Sequence, residues 1–176
     1  MSLNTALAIS LGVLGAVATW LFLGPLGGML AVWAAFIAWG CYYHSGGKET
    51  GLQSTIICTA VGAVVGGITL KLAGMGVGLP ETMWTALCVG LGVAAMVLLA
   101  NMPLFASIPA QVYGFASTVA LALLPATPGS VTEASLANPV VTIILSMIVG
   151  AIFGYVSEKV AGMLMGMGDH RAAAKA

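Results

Sequence analysis

The sequence predicts an all-α integral membrane protein of about six transmembrane helices, and three observations lead to this fold class. Of the 176 residues, 60% are hydrophobic and 6% are charged, whereas about 25% of the residues in soluble domains are charged. The apolar residues form six stretches, most of them close to the ~20 residues that cross a bilayer. A weak internal repeat divides these stretches into two sets of three. This composition excludes a soluble enzyme, a nucleic-acid-binding protein, which needs a basic surface, and a disordered chain.

The first half of the chain is predicted to contain three helices. Residues 1–4 carry no Lys or Arg, so the first apolar stretch is expected to be a retained helix and not a cleaved signal peptide. Gly24-Pro25 leaves room only for a tight turn, and the polar residues 45–51 form a loop. The predicted helices cover residues 5–23, 26–43 and 52–72.

The second half is predicted to contain three more helices after the glycine-rich segment 74–81. Asn138 and Pro139 are typical of the N-cap and first position of a helix. The segment 125–138, rich in Pro, Ser and Thr, is either a loop or a short re-entrant segment. The predicted helices cover residues 82–99, 104–124 and 139 to between 155 and 165, followed by a polar tail over 166–176.

The internal repeat is clearest where residues 61–63 and 149–151 share the tripeptide Val-Gly-Ala. At the same offset Lys71 matches Lys159, and the chain has only five Lys and Arg residues, so chance alone is a weaker explanation. Because each half has three helices, the halves would enter the membrane in opposite directions, as in many transporters. The predicted halves span about 4–74 and about 82–165 of a single transmembrane domain, 1–176.

Two GxxxG pairs predict close helix packing, because glycine lets helix backbones approach. Gly62 and Gly66 lie in the predicted third helix, and Gly150 and Gly154 lie in the predicted sixth. We expect these faces to pack the third and sixth helices together at the centre of the repeat. The alternative is that they form the interface of a homo-oligomer.

The cationic residues predict the orientation of the chain. An even number of spans places both termini on the same side of the membrane. All Lys and Arg residues except Lys71 then lie on that side. The side richer in Lys and Arg is normally cytoplasmic. We therefore expect both termini to be cytoplasmic. The cations on the side of the termini are Lys48, Lys159, Arg171 and Lys175.

No grouping of chemically active side chains predicts an enzyme, a metal site or a cofactor. Cys41 and His44 stand one helical turn apart, but the remaining histidine, His170, lies in the polar tail. A closed metal site needs more ligands than this.

The polar residues of the fifth stretch predict a solute path. The apolar stretches contain no Asp, Glu, Lys or Arg except near their ends, which argues against a proton relay based on Asp or Glu and favours a neutral or weakly charged solute. Pro109 removes a backbone hydrogen bond, so a carbonyl near Phe105 needs another donor, and in lipid such a break requires protein or a water-lined cavity. The alternative is a kinked helix whose Gln111 and Tyr113 bond to nearby backbone. The predicted path is lined by Asn101, Ser107, Pro109, Gln111 and Tyr113, with Thr55 and Thr142 opposite.

Three segments together resemble a bacterial inner-membrane family catalogued as domain of unknown function 1097. They are residues 105–118 with Pro109 and Gly114, residues 150–155 before Lys159, and the aromatic second helix that ends at residues 45–47. The resemblance implies a small multi-pass protein of the bacterial inner (plasma) membrane. It implies no substrate and no catalytic residue.

The function expected from these features is a channel or facilitator for a small solute such as urea, a short amide, ammonia or a polyol. Its partners would be the lipid bilayer, the solute and further copies of the same chain, and not nucleic acid. The alternative is a non-transporting membrane scaffold or accessory subunit of another membrane complex.

Overall fold

The computed structural model describes residues 1–125 and 130–173, with the side chains of residues 1–125 and 130–166. The described residues form six α-helices and one short 3-10 helix, Pro103–Phe105, which we call the 3-10 turn. Helices α1, α3, α4 and the part of α6 up to Gly166 are long and apolar enough to cross a membrane. The helices are α1 (Leu3–Leu23), α2 (Val32–His44), α3 (Lys48–Ala73), α4 (Glu81–Leu99), α5 (Ile108–Leu123) and α6 (Pro139–Ala173).

The predicted number of helices is confirmed, but α2 and α3 begin at other residues than predicted. Helix α2 begins six residues later than predicted, because turns occupy residues 24–30 and Gly28 has a left-handed φ of 77°. Helix α3 begins at Lys48, so part of the predicted polar loop is helical. Hydropathy did not distinguish the apolar turn from helix, because a turn made of Gly, Pro and Leu is as apolar as the helices beside it.

The predicted fifth helix is divided into the 3-10 turn and α5. Pro109 lies in the first turn of α5, where a helix needs no backbone N–H donor. The expected break inside a helix is therefore corrected to a break before α5, at residues 106 and 107.

The N-terminus of α6 is confirmed, whereas its C-terminus lies beyond the predicted range. The Asn138 side chain accepts a hydrogen bond from the Val140 backbone N–H at 2.8 Å and so caps the helix. Helix α6 continues through most of the predicted polar tail. In the predicted connection 125–138, residues 130–138 form turns and bends without a helix, and residues 126–129 lie outside the described part of the chain.

Four helices, α2, α3, α5 and α6, form the centre of the molecule, and α1 and α4 pack on its outside. The main contacts join α3 to α5, α2 to α6, and α3 to α6, while α1 packs on α6 and α4 packs on α3. These contacts are related between the two halves of the chain. If α1, α2 and α3 are exchanged with α4, α5 and α6, respectively, the α2–α6 contact corresponds to the α5–α3 contact. The same exchange turns the α1–α6 contact into the α4–α3 contact.

The glycine pairs lie at helix contacts, but their partner helices differ from the prediction. A Cβ atom at Gly62 would overlap the backbone carbonyl of Gln111 in α5, and one at Gly66 would lie 3.0 Å from the Phe115 carbonyl oxygen. In α6, a Cβ atom at Gly150 would overlap the Ala35 carbonyl of α2, and one at Gly154 would lie 2.8 Å from the Tyr42 ring. The two glycine faces therefore pack α3 on α5 and α6 on α2, not α3 on α6.

The contact between α3 and α6 uses other small residues. Ala63 of α3 lies in one buried cluster with Ile143 and Met147 of α6. Gly67 of α3 lies against the Val140 side chain near the start of α6. The sequence predicted that glycine would bring helices together, but a GxxxG pattern specifies a face and leaves the partner helix open.

Candidate functional site

One end of the four-helix centre carries a polar recess, which we call the Ser54 recess. It has a volume of about 480 Å³ and adjoins a second cavity of about 430 Å³, to which Ser54 also contributes. The hydroxyl, imidazole and backbone groups of this recess offer both donors and acceptors of hydrogen bonds. Its lining residues are His44, Ser45, Gly46, Ser54, Ala106 and Ser107.

A second recess, which we call the Thr142 recess, is smaller and more apolar. It has a volume of about 270 Å³. Residues 28–33, in the turn before α2 and its first positions, form most of its wall, with Leu121 of α5 and Thr142 of α6. The Thr142 hydroxyl donates to the Leu136 carbonyl at 3.0 Å.

The two recesses lie at opposite ends of the same helices. The Ser54 recess is formed at the C-terminus of α2 and near the N-termini of α3 and α5. The Thr142 recess is formed at the N-termini of α2 and α6 and near the C-terminus of α5. A route between them would run along the inside of the four-helix centre.

Buried side chains fill the space between the two recesses, and we call this set the central column. It consists of two clusters made largely of small side chains, and Tyr113 packs against both clusters. Such close packing leaves few voids larger than a water molecule among these side chains. The first cluster is Ala31, Ala34, Ala38, Ala63, Ile143 and Met147, and the second is Cys41, Cys58 and Ala110.

Tyr113 also contacts His44, one of the residues that line the Ser54 recess. The His44 ring meets the Tyr113 ring edge-on, with centroids 6.5 Å apart and an interplanar angle of 73°. Through these contacts the Tyr113 ring joins a residue of the recess to both clusters of the central column. Thr55 is close to the same place, since its buried hydroxyl donates to the Cys41 Sγ atom at 3.7 Å.

Gln111 holds the 3-10 turn and does not line either recess. Its fully buried side chain donates from Nε2 to the Phe105 carbonyl at 2.6 Å, so the carbonyl that the sequence identified as lacking a donor is satisfied by this amide. The Cys58 thiol donates to the neighbouring Leu104 carbonyl at 3.7 Å. Gln111 therefore bonds to nearby backbone, as in the alternative to a solute path. Its Oε1 atom is buried without a hydrogen-bond partner among the described residues.

The remaining predicted path residues fall in different places. Asn101 is exposed and donates to the Leu98 carbonyl at 3.0 Å, which satisfies a backbone group at the end of α4. Pro109 is exposed on the first turn of α5. Ser107 lines the Ser54 recess, whereas Thr142 lines the opposite one. The structure therefore places Ser107, Tyr113 and Thr55 near one end of the central column and does not bring all seven residues together.

Glu158 has a structural role that the sequence did not reveal. Its carboxylate accepts hydrogen bonds from the Tyr42 hydroxyl and, at 2.8 Å, from the Lys48 backbone N–H. Gly46, Gly47 and Lys48 all have left-handed φ values, of 93°, 67° and 56°. The Gly46-Gly47 dipeptide indicated a turn, but no sequence signal linked Glu158 to it across 110 residues.

Replacing Glu158 with alanine is expected to lower the free energy of unfolding by about 1–3 kcal/mol, because the buried Tyr42 hydroxyl loses its acceptor. Lys159 is a matched control on the next position: its ion pair with Glu49, at 3.4 Å, is exposed, so Lys159→Ala should cost less than about 1 kcal/mol. The measurement is the thermal unfolding of both variants in the same detergent. Equal melting temperatures for the two variants would show that Glu158 does not hold the turn.

Among residues 1–125 and 130–166, no three His, Cys, Asp or Glu side chains lie close enough together to hold a metal ion. The cysteines Cys41, Cys58 and Cys88 are free and buried.

Comparison with known proteins identifies a family for this chain. Residues 8–162 match the family described as "Protein of unknown function (DUF1097)". No curated protein and no solved structure matches the chain. The match covers most of the sequence, so the chain belongs to the DUF1097 family, in agreement with the resemblance noted from the sequence.

Proposed function

We propose that this member of the DUF1097 family is a facilitator that lets a small neutral or weakly charged solute, such as urea, a short amide, ammonia or a polyol, cross the bacterial inner membrane. The observation that carries the proposal is the pair of recesses at opposite ends of one four-helix centre, joined by a column made largely of small side chains. Transporter folds commonly place their route at such a centre, between two related halves.

The membrane assignment is supported by the outer helices. In the most apolar 18-residue segment of each helix, only 22% of the residues of α1 and 17% of those of α4 are buried inside the protein. Large apolar surfaces of this kind are rare on soluble monomers. Their natural surroundings are lipid or further copies of the chain.

An inverted repeat is supported by the exchange of helix contacts between the two halves. Two side-chain contacts also correspond: Cys58 of α3 binds the Leu104 carbonyl before α5, and Ser146 of α6 accepts from the Ala31 N–H before α2 at 2.9 Å. Cys58 and Ser146 are separated by 88 positions, the offset found between the lysines. Each half would then contribute one recess.

The orientation follows from the repeat and from the cations. With both termini cytoplasmic, Lys48 at the start of α3 places the Ser54 recess on the cytoplasmic side. The Thr142 recess would then open to the other side of the membrane.

The class of solute follows from the central column. No Asp, Glu, Lys or Arg is among the residues that are buried in the described part of the chain. Moving a neutral amide out of water without compensation costs about 2–7 kcal/mol, whereas an isolated ion costs tens of kcal/mol. Only a neutral solute could pass such a column at a useful rate.

We also propose that the chain forms a homo-oligomer through its outer helices. At Gly12 of α1 and Gly90 of α4, a Cβ atom would meet no atom within 4 Å in the described chain beyond the adjacent residues and the nearby backbone of its own helix, so these faces are open to a second copy. The molar mass of the purified protein, measured by light scattering with the detergent contribution subtracted, would give the number of copies.

The test of the facilitator is stopped-flow light scattering on liposomes containing the purified protein, with urea, acetamide, glycerol, ammonia and water as solutes. We expect faster re-swelling for at least one solute and inhibition by an organic mercurial, because Cys41 and Cys58 lie in the central column. Replacing both with alanine should remove the inhibition. Cys88→Ala is the matched control, since Cys88 is equally buried but belongs to α4, outside the column.

A scaffold or accessory subunit is the second candidate, and it is favoured by the tight packing of the column. Ile143 and Met147 are fully buried there. A scaffold would give no accelerated re-swelling for any solute and would copurify with a defined membrane partner from native membranes.

A further inference from the structure

Tyr113 occupies a distinctive position in the molecule. Among the residues that the structure describes, it is the side chain that packs against both clusters of the central column. It is also in ring contact with His44, which lines the Ser54 recess. A solute moving from that recess into the column would therefore have to pass the Tyr113 ring.

The neighbours of the ring make its size important. The second cluster, on the side of the Ser54 recess, consists of Cys41, Cys58 and Ala110, all with short side chains. In the first cluster, Ala34, Ala38 and Ala63 are equally short. Tyr113 is the bulkiest side chain that packs against both clusters, and it is half-buried.

The hydroxyl of Tyr113 is free to bind a solute. It forms no hydrogen bond with any residue in the described part of the chain, where the side chain contacts His44 through its ring. A phenol both donates and accepts hydrogen bonds. The half-buried hydroxyl-bearing residues Ser54 and Ser107 line the recess in front of it. This set suits a small molecule with a carbonyl acceptor and N–H donors.

We infer that Tyr113 determines solute selectivity, admitting neutral planar molecules of the size of urea or acetamide and holding back wider ones. This inference rests on the proposed facilitator function. The ring sets the width of the passage, and the hydroxyl replaces one hydrogen bond that the solute loses on leaving water.

The test is the rate of liposome re-swelling for urea, N-methylurea and N,N′-dimethylurea, which share one functional group and differ in width. Wild-type protein is expected to conduct urea and to hold back N,N′-dimethylurea. Tyr113→Ala should raise the rate for N,N′-dimethylurea by about tenfold, the discrimination that one or two methyl groups produce in a fitted pocket. Tyr113→Phe should keep the width limit. It should lower the urea rate by about 2–10-fold, the factor expected from the loss of one hydrogen bond.

Two variants serve as controls. Val112→Ala changes the neighbouring exposed position of α5 and should leave all three rates unchanged. Met147→Ala removes a large side chain from the first cluster, away from the His44 contact. A width limit that moves in Met147→Ala and not in Tyr113→Ala would overturn the inference.

The outcomes separate the inference from the function it depends on. If wild-type protein conducts urea and N,N′-dimethylurea equally, the facilitator stands and the role of Tyr113 is refuted. If wild-type protein conducts no solute, the proposed function itself fails. The wild-type series needs no variant to fold, so it can refute the inference even if Tyr113→Ala is unstable.

Discussion

Alanine at Gly62 or Gly150 is expected to destabilise the protein strongly. At these positions the new Cβ atom would overlap the backbone carbonyl of Gln111 or of Ala35, respectively. Backbone cannot rotate away as a side chain can, so the two helices must separate along their length. Overpacking of this kind typically costs about 1–3 kcal/mol and sometimes more. Leucine in place of alanine should prevent folding.

The measurement is the melting temperature of each variant in one detergent, together with the fraction of protein that elutes as a single species. Gly162 provides the matched control within α6, since its added Cβ would meet no atom within 4 Å in the described chain beyond the adjacent residues and the nearby backbone of its own helix. There the same change should be neutral or stabilise the helix by about 0.5–1 kcal/mol, because alanine loses less backbone entropy than glycine. Similar melting temperatures for Gly150→Ala and Gly162→Ala would contradict the packing described for α2 and α6.

Cysteines at Ser54 and Thr142 are expected to react with a membrane-impermeant maleimide from opposite sides of the membrane. The two residues line recesses at opposite ends of the four-helix centre, and both are half-buried, so their reactivity can be compared. In the proposed orientation Ser54→Cys reacts only in inside-out vesicles, and Thr142→Cys reacts only in right-side-out vesicles. The difference should be close to all or none, because a charged reagent does not cross the bilayer.

These labelling variants require a chain in which the native cysteines are replaced by alanine, with flux or melting temperature verified first. Leu91→Cys in the middle of α4 is the control for lipid exposure: Leu91 is 67% exposed in the isolated protein, but a position within the bilayer would stay unreactive from either side. Labelling of Ser54→Cys and Thr142→Cys from the same side would refute the two-sided arrangement. Rapid labelling of Leu91→Cys would refute the membrane position of α4.

The sequence predicted the helices well because long apolar stretches interrupted by Gly and Pro leave few alternatives in this composition. It predicted the Asn138 cap as well, because Asn before Pro at the start of an apolar run has a local physical reason. It missed the late start of α2, since residues 24–31 are as apolar as a helix and form turns only through their glycines. Helix partners were also missed, because local patterns do not specify which surfaces meet.

The candidate site was predicted less completely for the same reason. The sequence placed polar residues of the fifth stretch on one path, but spacing along a chain does not tell which side of a helix faces the core. Gln111 and Tyr113 are two positions apart on α5, about 200° around the helix axis. They therefore face different partners: Gln111 holds the 3-10 turn, and Tyr113 packs in the central column. The role of Glu158 depends on a contact between residues 110 positions apart, which no local pattern encodes.

The glycine contacts have a mechanical consequence for any motion of this fold. At Gly62 and Gly150 backbone meets backbone and no side chain can rearrange, so α3 with α5 forms one stiff unit and α6 with α2 forms another. The surface between the two units is formed largely by alanine and other short side chains, which can slide past one another without interlocking. If the two units slide against each other, the recesses at both ends change shape together, and no helix needs to bend.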